Sequence, residues 1–281
     1  MKSGLLKKVV SIAAAAVMAI SIVGCGNNAS KDASSAGNSK QTSGTSLESI
    51  KSKGKLVVGT SADFPPYEFH KKVDGKDQIV GFDIDIAKEV AKDLGVELEI
   101  KDMNFDGLLV ALQAGKVDMV FAGMSPTEER KKNVDFTDIY YAGEHTFIMR
   151  DGEQSGKKAM EDLKGLKIGV QKGAIQQDMA KKAYDEKDIK ALDKVTDLVL
   201  DFLIIKDDAV LVEAAVAKMY VYKNEGLALT DFTVGDETGG SAVALSKGSD
   251  ELTGEVNKTI KKLKDGNKIE EFFTKATEMS E

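Results

Sequence analysis

The sequence predicts an α/β fold of two similar lobes, each a mostly parallel sheet flanked by helices. Three observations carry this. Short apolar runs rich in Val, Ile and Leu alternate with amphipathic stretches. The alternation begins afresh in the second half of the chain. One helix–turn–strand unit recurs with Leu198 standing 90 positions after Leu108. Alternation of this kind argues for strands joined by crossover helices.

Taken in order, Lys55 to Gly59 reads as a strand and Phe82 to Leu94 as an amphipathic helix. Val96 to Ile100 reads as the next strand. Phe105 to Ala114 reads as a helix stopped by Gly115, because glycine readily takes the left-handed conformation past a helix end. Val117 to Ala122 follows as a strand. The second block repeats the grammar: strand Leu166 to Val170, helix Ile175 to Ala183, strand Ile189 to Leu192. In the recurring unit Lys116 matches Lys206 and Asp118 matches Asp208. The alternative is that any two helix–turn–strand units align this well. Ile205 stands where the first copy has Gly115, inside the apolar run 202–205, although a β-branched residue tolerates the left-handed conformation poorly. After Gly239-Gly240, a strand from Ser241 to Leu245 precedes a Lys/Glu-rich helical tail running to Glu281. Its stripe of Val256, Ile260 and Leu263 reads as packing.

The N-terminus has a different character. Lys2, Lys7 and Lys8 precede an apolar run from Val9 to Val23, the layout of a secretory signal peptide. At about fifteen residues it is shorter than the ~20 needed to cross a bilayer as a helix. It ends in Ile22-Val23-Gly24-Cys25, which resembles the bacterial lipoprotein processing box, where the cysteine is acylated and becomes the new N-terminus. The alternative is an ordinary cleaved signal with an incidental cysteine. Cys25 is the only cysteine, so no disulfide partner competes for it. From Gly26 to about Ser46 the chain is Ser, Gly, Asn, Ala and Lys with little to bury, which predicts a flexible tether. The expected organisation is a signal peptide over 1–24, an anchored linker over 25–46, a first lobe from 47–146 and 237–281, and a second from 147–236. The folded part would then stand outside the cytoplasm, held to the cell membrane by lipid on Cys25.

Composition narrows the function. Apolar residues at 42% and charged residues at 30% are an ordinary globular balance. A net charge of −7 with mixed signs offers no basic face for nucleic acid. Two histidines and one cysteine leave little for a metal site, and no cofactor is expected.

Three stretches carry a resemblance: Gly59-Thr-Ser-Ala-Asp-Phe-Pro-Pro-Tyr-Glu-Phe69, Gly81-Phe-Asp-Ile-Asp-Ile-Ala87 and Asp118-Met-Val-Phe-Ala-Gly-Met-Ser-Pro-Thr-Glu-Glu-Arg130. Phe136 to Tyr141, Lys167 to Gly173 and Gly239 to Val243 continue it. Together they resemble the periplasmic-type amino-acid-binding proteins of the polar amino acid uptake family of ATP-driven importers. The match runs in order from about residue 50 to 280. It implies a type II periplasmic-binding-protein-like fold that closes on a free amino acid and presents it to a transporter permease, as a monomer. A polar or cationic amino acid is the expected ligand. A sensory or adhesive surface lipoprotein and a dehydratase-type enzyme on the same scaffold are the alternatives.

Burying an amino acid requires partners for its carboxylate and its ammonium, because an unpaired buried charge costs several kcal/mol. For the carboxylate the candidate is Arg130, one of only two arginines in a chain whose usual cation is lysine. Arginine's planar fork suits a carboxylate bidentately. Ser125-Pro-Thr-Glu128 reads as a capping box whose helix N-terminus favours an anion; the alternative is a plain surface cap with a solvated arginine. The resemblance implies further contacts from the backbone of Ala122, Gly123 and Met124 and from Ser125. It places Glu213 on the ammonium, although a strand-end residue can also turn outward. Relatives carry Lys-Pro or a similar pair where Ala214-Ala215 stand. From the second lobe Gly173, Ala174 and Ile175 would reach the carboxylate, but Ala174 lacks the usual hydroxyl, and losing such a hydrogen bond costs about 1–3 kcal/mol. Phe64 and Phe105 align with positions that sandwich the ligand, with core packing as the alternative. Asp63 could face a cationic or amide side chain. Tyr140 and Tyr141 read as core or inter-lobe packing.

Overall fold

The computed structural model describes residues 45–204, 207–235 and 237–281. The expected signal peptide, Cys25 and most of the expected tether lie outside the described residues, as does Ile205.

The first part of the chain runs α1 (Leu47–Lys53), β1 (Lys55–Thr60), β2 (Asp63–Phe64), β3 (Glu68–Val73), β4 (Lys76–Val80), α2 (Phe82–Leu94) and β5 (Glu97–Asp102). A 3-10 turn over Phe105–Gly107 leads into α3 (Leu108–Gln113), then β6 (Met119–Val120), α4 (Glu128–Lys131) and β7 (Val134–Phe136). The second part runs β8 (His145–Arg150), β9 (Ile168–Gln171), α5 (Ile175–Ala183), β10 (Ile189–Leu192), α6 (Val195–Leu203), β11 (Ala209–Glu213), α7 (Ala214–Lys223) and β12 (Leu227–Leu229). The chain then returns through β13 (Ala244–Ser246), α8 (Asp250–Asp265) and α9 (Lys268–Ser280).

The strands form two five-stranded sheets, ordered β5-β1-β6-β13-β7 and β10-β9-β11-β8-β12. In the first, β5, β1 and β6 are parallel while β13 and β7 join antiparallel. In the second, β10, β9 and β11 are parallel while β8 and β12 join antiparallel. The sheets are therefore copies of one plan, α3 and α6 occupy matching places in it, and the fold is two-lobed. The expectation of mostly parallel sheets holds for the first three strands of each. Neither β8 nor β13 follows a crossover helix of its own sheet, since each is reached from the other lobe, so nothing imposes the parallel direction.

Local chemistry explains the elements. α2 buries Phe82, Ile84, Ile86, Ala87 and Val90 along one stripe, at about 1.5–3 kcal/mol for each large side chain. Gly115 follows α3 at φ 66, the stop expected from the sequence. Val256, Ile260 and Leu263 of α8 are all buried. The helical tail is two helices instead of one, broken where Gly266 is followed by Asn267 at φ 55. The small antiparallel sheet β2-β3-β4 was not anticipated. Its hairpin turns at Asp74-Gly75, both at positive φ, a pair that favours tight hairpins.

Two strands of chain link the lobes side by side. Tyr141 bridges Ser241 and His145 bridges Val234, both antiparallel. Tyr140 is buried with its hydroxyl donating to Asp83 Oδ2 at 2.8 Å, and Tyr141 stacks on Phe273 at 4.9 Å. Both tyrosines therefore serve packing.

Candidate functional site

A cleft between the lobes, about 410 Å³ including its mouth, collects most of the residues singled out from sequence. Phe64, Phe105, Ala122, Gly123, Ser125 and Arg130 line it from the first lobe, and Ala174, Ile175 and Glu213 from the second. Asp63, Met124 and Gly173 do not line it. Six further lining residues escaped the sequence reading: Gly143, His145, Gln171, Gln176, Gly240 and Ser241.

Arg130 lies on α4, whose N-cap Thr127 accepts a hydrogen bond from the Arg130 amide at 3.3 Å. The cap is thus Thr127, two residues later than the capping box at Ser125 supposed. The guanidinium is held in place. Nη1 donates to the Ser125 carbonyl at 2.6 Å, Nη2 donates across the cleft to the Gly173 carbonyl at 2.9 Å, and the Phe105 ring lies 5.4 Å away. Gly173 therefore belongs to the contact between lobes. An added Cβ there would meet Asp106 at 3.0 Å, so the close approach also favours glycine.

The backbone after β6 is polarised. The Gly123 N–H donates to Asp83 Oδ2 at 2.9 Å, and the Met124 carbonyl accepts from the Ala242 N–H at 2.9 Å. Gly123 thus turns its amide away from the cleft, and what it can offer a ligand is its carbonyl. Met124 packs its side chain into the core of the first lobe. Behind this backbone lie two fully buried carboxyls, Glu68 and Asp83. Burial pushes Asp83 up to about 6, opposed by the Gly123 amide and the Tyr140 hydroxyl. Burial, together with the charge of Asp83, holds Glu68 well above the usual carboxylate range.

Glu213 ends β11, paired with His145, and is buried. Its Oε2 accepts from the amides of Ala215 at 2.7 Å and Val216 at 3.0 Å, capping α7. Ala215 supplies an amide that a proline there could not. A Cβ on Gly143 would lie 3.2 Å from Oε1, so only glycine leaves that oxygen uncovered. Burial pushes Glu213 up to about 7, against the pull of the Val216 amide, His145, the Ala215 amide and Lys218. The Gln176 side-chain amide lies 3.0 Å from His145 Nδ1, joining two of the newly found lining residues. Ala174 is the N-cap of α5 and gives it no side-chain hydrogen bond.

The arrangement therefore places one fixed guanidinium and one buried carboxylate on a single cleft, with Phe64 and Phe105 beside them. That combination suits a small zwitterion with an extended side chain.

Comparison with known proteins agrees. Residues 56–278 match the model of the bacterial extracellular solute-binding proteins, family 3. The arginine-binding extracellular protein ArtP of Bacillus subtilis is 37% identical over 275 residues, covering 96% of this chain and 98% of that protein. The ABC transporter glutamine-binding protein GlnH of Bacillus subtilis is 30% identical over 275 residues, covering 96% and 97%. Among solved structures, the amino acid ABC transporter substrate-binding protein AbpA from Streptococcus pneumoniae, bound to L-arginine, superposes with a TM-score of 0.80 at 42% identity. That match covers 83% of this chain and 98% of the solved one. The chain belongs to the bacterial extracellular solute-binding proteins, family 3.

Proposed function

We propose that this protein captures a free amino acid outside the cytoplasm, arginine first among the candidates, and delivers it to the permease of an ATP-driven importer. The observation that carries the reading is the placement of Arg130 and Glu213 on one cleft between the lobes. Arg130 takes the α-carboxylate and Glu213 the α-ammonium. Phe64 and Phe105 flank the side chain, and Gln171 and Gln176 supply hydrogen bonds to its polar end. The relatives named for arginine and glutamine, and the arginine-bound neighbour, support a basic or amide side chain. The role is binding, with no catalytic step. Closure swings the lobes about the paired segments near Tyr141–His145 and Val234–Ser241, and the closed shape is what the permease reads. Lipid on Cys25 holds the domain to the membrane through the Ser/Gly-rich tether.

Thermal melts against a panel of free amino acids test the ligand. Selective binding to the native state raises the midpoint by mass action. Arginine should give the largest shift, and no shift with any amino acid at millimolar concentration would refute the reading. Metabolic labelling with a radioactive fatty acid tests the anchor: Cys25→Ala should abolish label and release the protein from the cell.

A further inference from the structure

Asp63 sits on β2 of the first lobe, one residue before the cleft-lining Phe64, and is buried. Its Oδ1 accepts from the Ser61 hydroxyl of the same lobe at 2.9 Å. Its Oδ2 accepts from the Val195 amide, the first amide of α6 in the opposite lobe. Its carbonyl accepts from the Tyr220 hydroxyl of α7, also in the opposite lobe, at 2.9 Å. Helix α6 has no cap of its own, because the N-cap residue is Lys194, which makes no side-chain hydrogen bond. A helix start leaves its first amides without partners, and Ser, Thr, Asp or Asn normally supply one locally. Here the cap comes from the other lobe and exists only while the lobes touch.

The remaining side-chain bonds across the lobes at this edge are more exposed. Lys172 reaches Asp106 at 2.7 Å with 53% of its side chain in solvent, and Asn104 reaches Asp193 at 3.3 Å. Exposed pairs of this kind contribute little. A buried carboxylate on a helix N-terminus contributes more, through both the hydrogen bond and the helix dipole.

We propose that Asp63 is the closure latch, a positioning residue that caps α6 of the opposite lobe and so sets the affinity for every ligand without touching one. The proposal rests on the amino-acid-binding reading above. It assigns Asp63 a different role from the contact with a ligand side chain that the sequence suggested.

The test uses Asp63→Ala and Asp63→Asn in the full-length protein, with arginine and its uncharged analogue citrulline as probes. Loss of a charge-assisted hydrogen bond made only in the closed state should weaken arginine binding by roughly ten- to hundredfold in Asp63→Ala. The loss should appear in the dissociation rate. Citrulline should weaken by the same factor. Asp63→Asn keeps an acceptor oxygen and should lose less. Small-angle scattering at saturating arginine should show a larger radius of gyration in Asp63→Ala than in wild type. The ligand-free melting temperature should fall much less than the arginine-bound one, because without closure only the Ser61 bond within the lobe is lost, whereas a merely structural role would lower both alike. Selective loss of arginine over citrulline, or unchanged dissociation rates, would overturn the latch while leaving the binding function standing. Failure of the wild type to bind any amino acid would overturn both.

Discussion

Replacing Glu213 by glutamine should make the protein more stable and worse at its task. Burial pushes Glu213 up to about 7, so at pH 8 the folded chain holds an ionised carboxylate that would rather be neutral. Against an ordinary glutamate near 4.3, that shift corresponds to about 3.6 kcal/mol of cost at pH 8. Glutamine keeps a carbonyl oxygen for the Ala215 and Val216 amides, so the cap on α7 survives. Its NH2 group needs a new partner, which takes back about 1–2 kcal/mol. The net gain of roughly 1.6–2.6 kcal/mol should raise the ligand-free melting temperature by about 3–10 °C at pH 8. The sign follows from linkage. A carboxyl raised on folding binds more protons in the native state, so wild-type stability falls as pH rises from about 4 towards 7. The advantage of Glu213→Gln should therefore shrink as pH is lowered, reach zero near about pH 5–6 and reverse below, where only the cost of the new NH2 group remains. The same substitution removes the proposed partner of the ligand ammonium, which should cost about 2–5 kcal/mol of binding and flatten the ligand-induced shift. Calorimetric melts at pH 5 and 8, with and without arginine, read all four quantities. A variant less stable than wild type at pH 8, or one that still binds arginine normally, would refute the reasoning.

Three further outcomes follow. Asp83→Ala frees the Gly123 amide and the Tyr140 hydroxyl inside the core, and should cost about 2–4 kcal/mol of stability by denaturant titration while weakening binding. Gly240→Ala should cost several kcal/mol, because Gly240 has φ 142 and an added Cβ would lie 2.2 Å from the Tyr141 carbonyl oxygen; a normal melt for that variant would contradict the geometry of the lobe crossing. Ala174→Ser gives α5 the N-cap hydroxyl it lacks and should raise stability by about 1 kcal/mol, measured as a higher urea midpoint at constant slope.

The fold was readable where periodicity and punctuation agreed. α2 and α5 have the bounds expected from sequence, because each carries an apolar stripe and a clear end. The β2-β3-β4 sheet is hard to read from sequence because Lys71, Lys72 and Lys76 make the stretch look polar, yet the Asp74-Gly75 pair is a signal in plain view. The break between α8 and α9 depends on a left-handed asparagine, which sequence alone does not announce.

The candidate site was legible where one motif carried several residues together. Ala122, Gly123, Ser125 and Arg130 arrive on one short stretch and line one cleft. His145, Gln171 and Gln176 come from three separate elements, and only the packing of β8, β9 and α5 unites them. Asp63 illustrates the opposite difficulty. A buried acid beside a cleft reads as a ligand contact in one dimension, whereas its partner, the Val195 amide, lies 132 positions along the chain.

Titration calorimetry of Arg130→Ala and Arg130→Lys with arginine tests most directly the proposed pairing of the Arg130 guanidinium with the carboxylate of a captured amino acid. Loss of the forked donor should weaken binding by at least about a hundredfold in the alanine variant, with only partial recovery in the lysine variant. An alanine variant that folds and binds arginine as tightly as wild type would contradict the account.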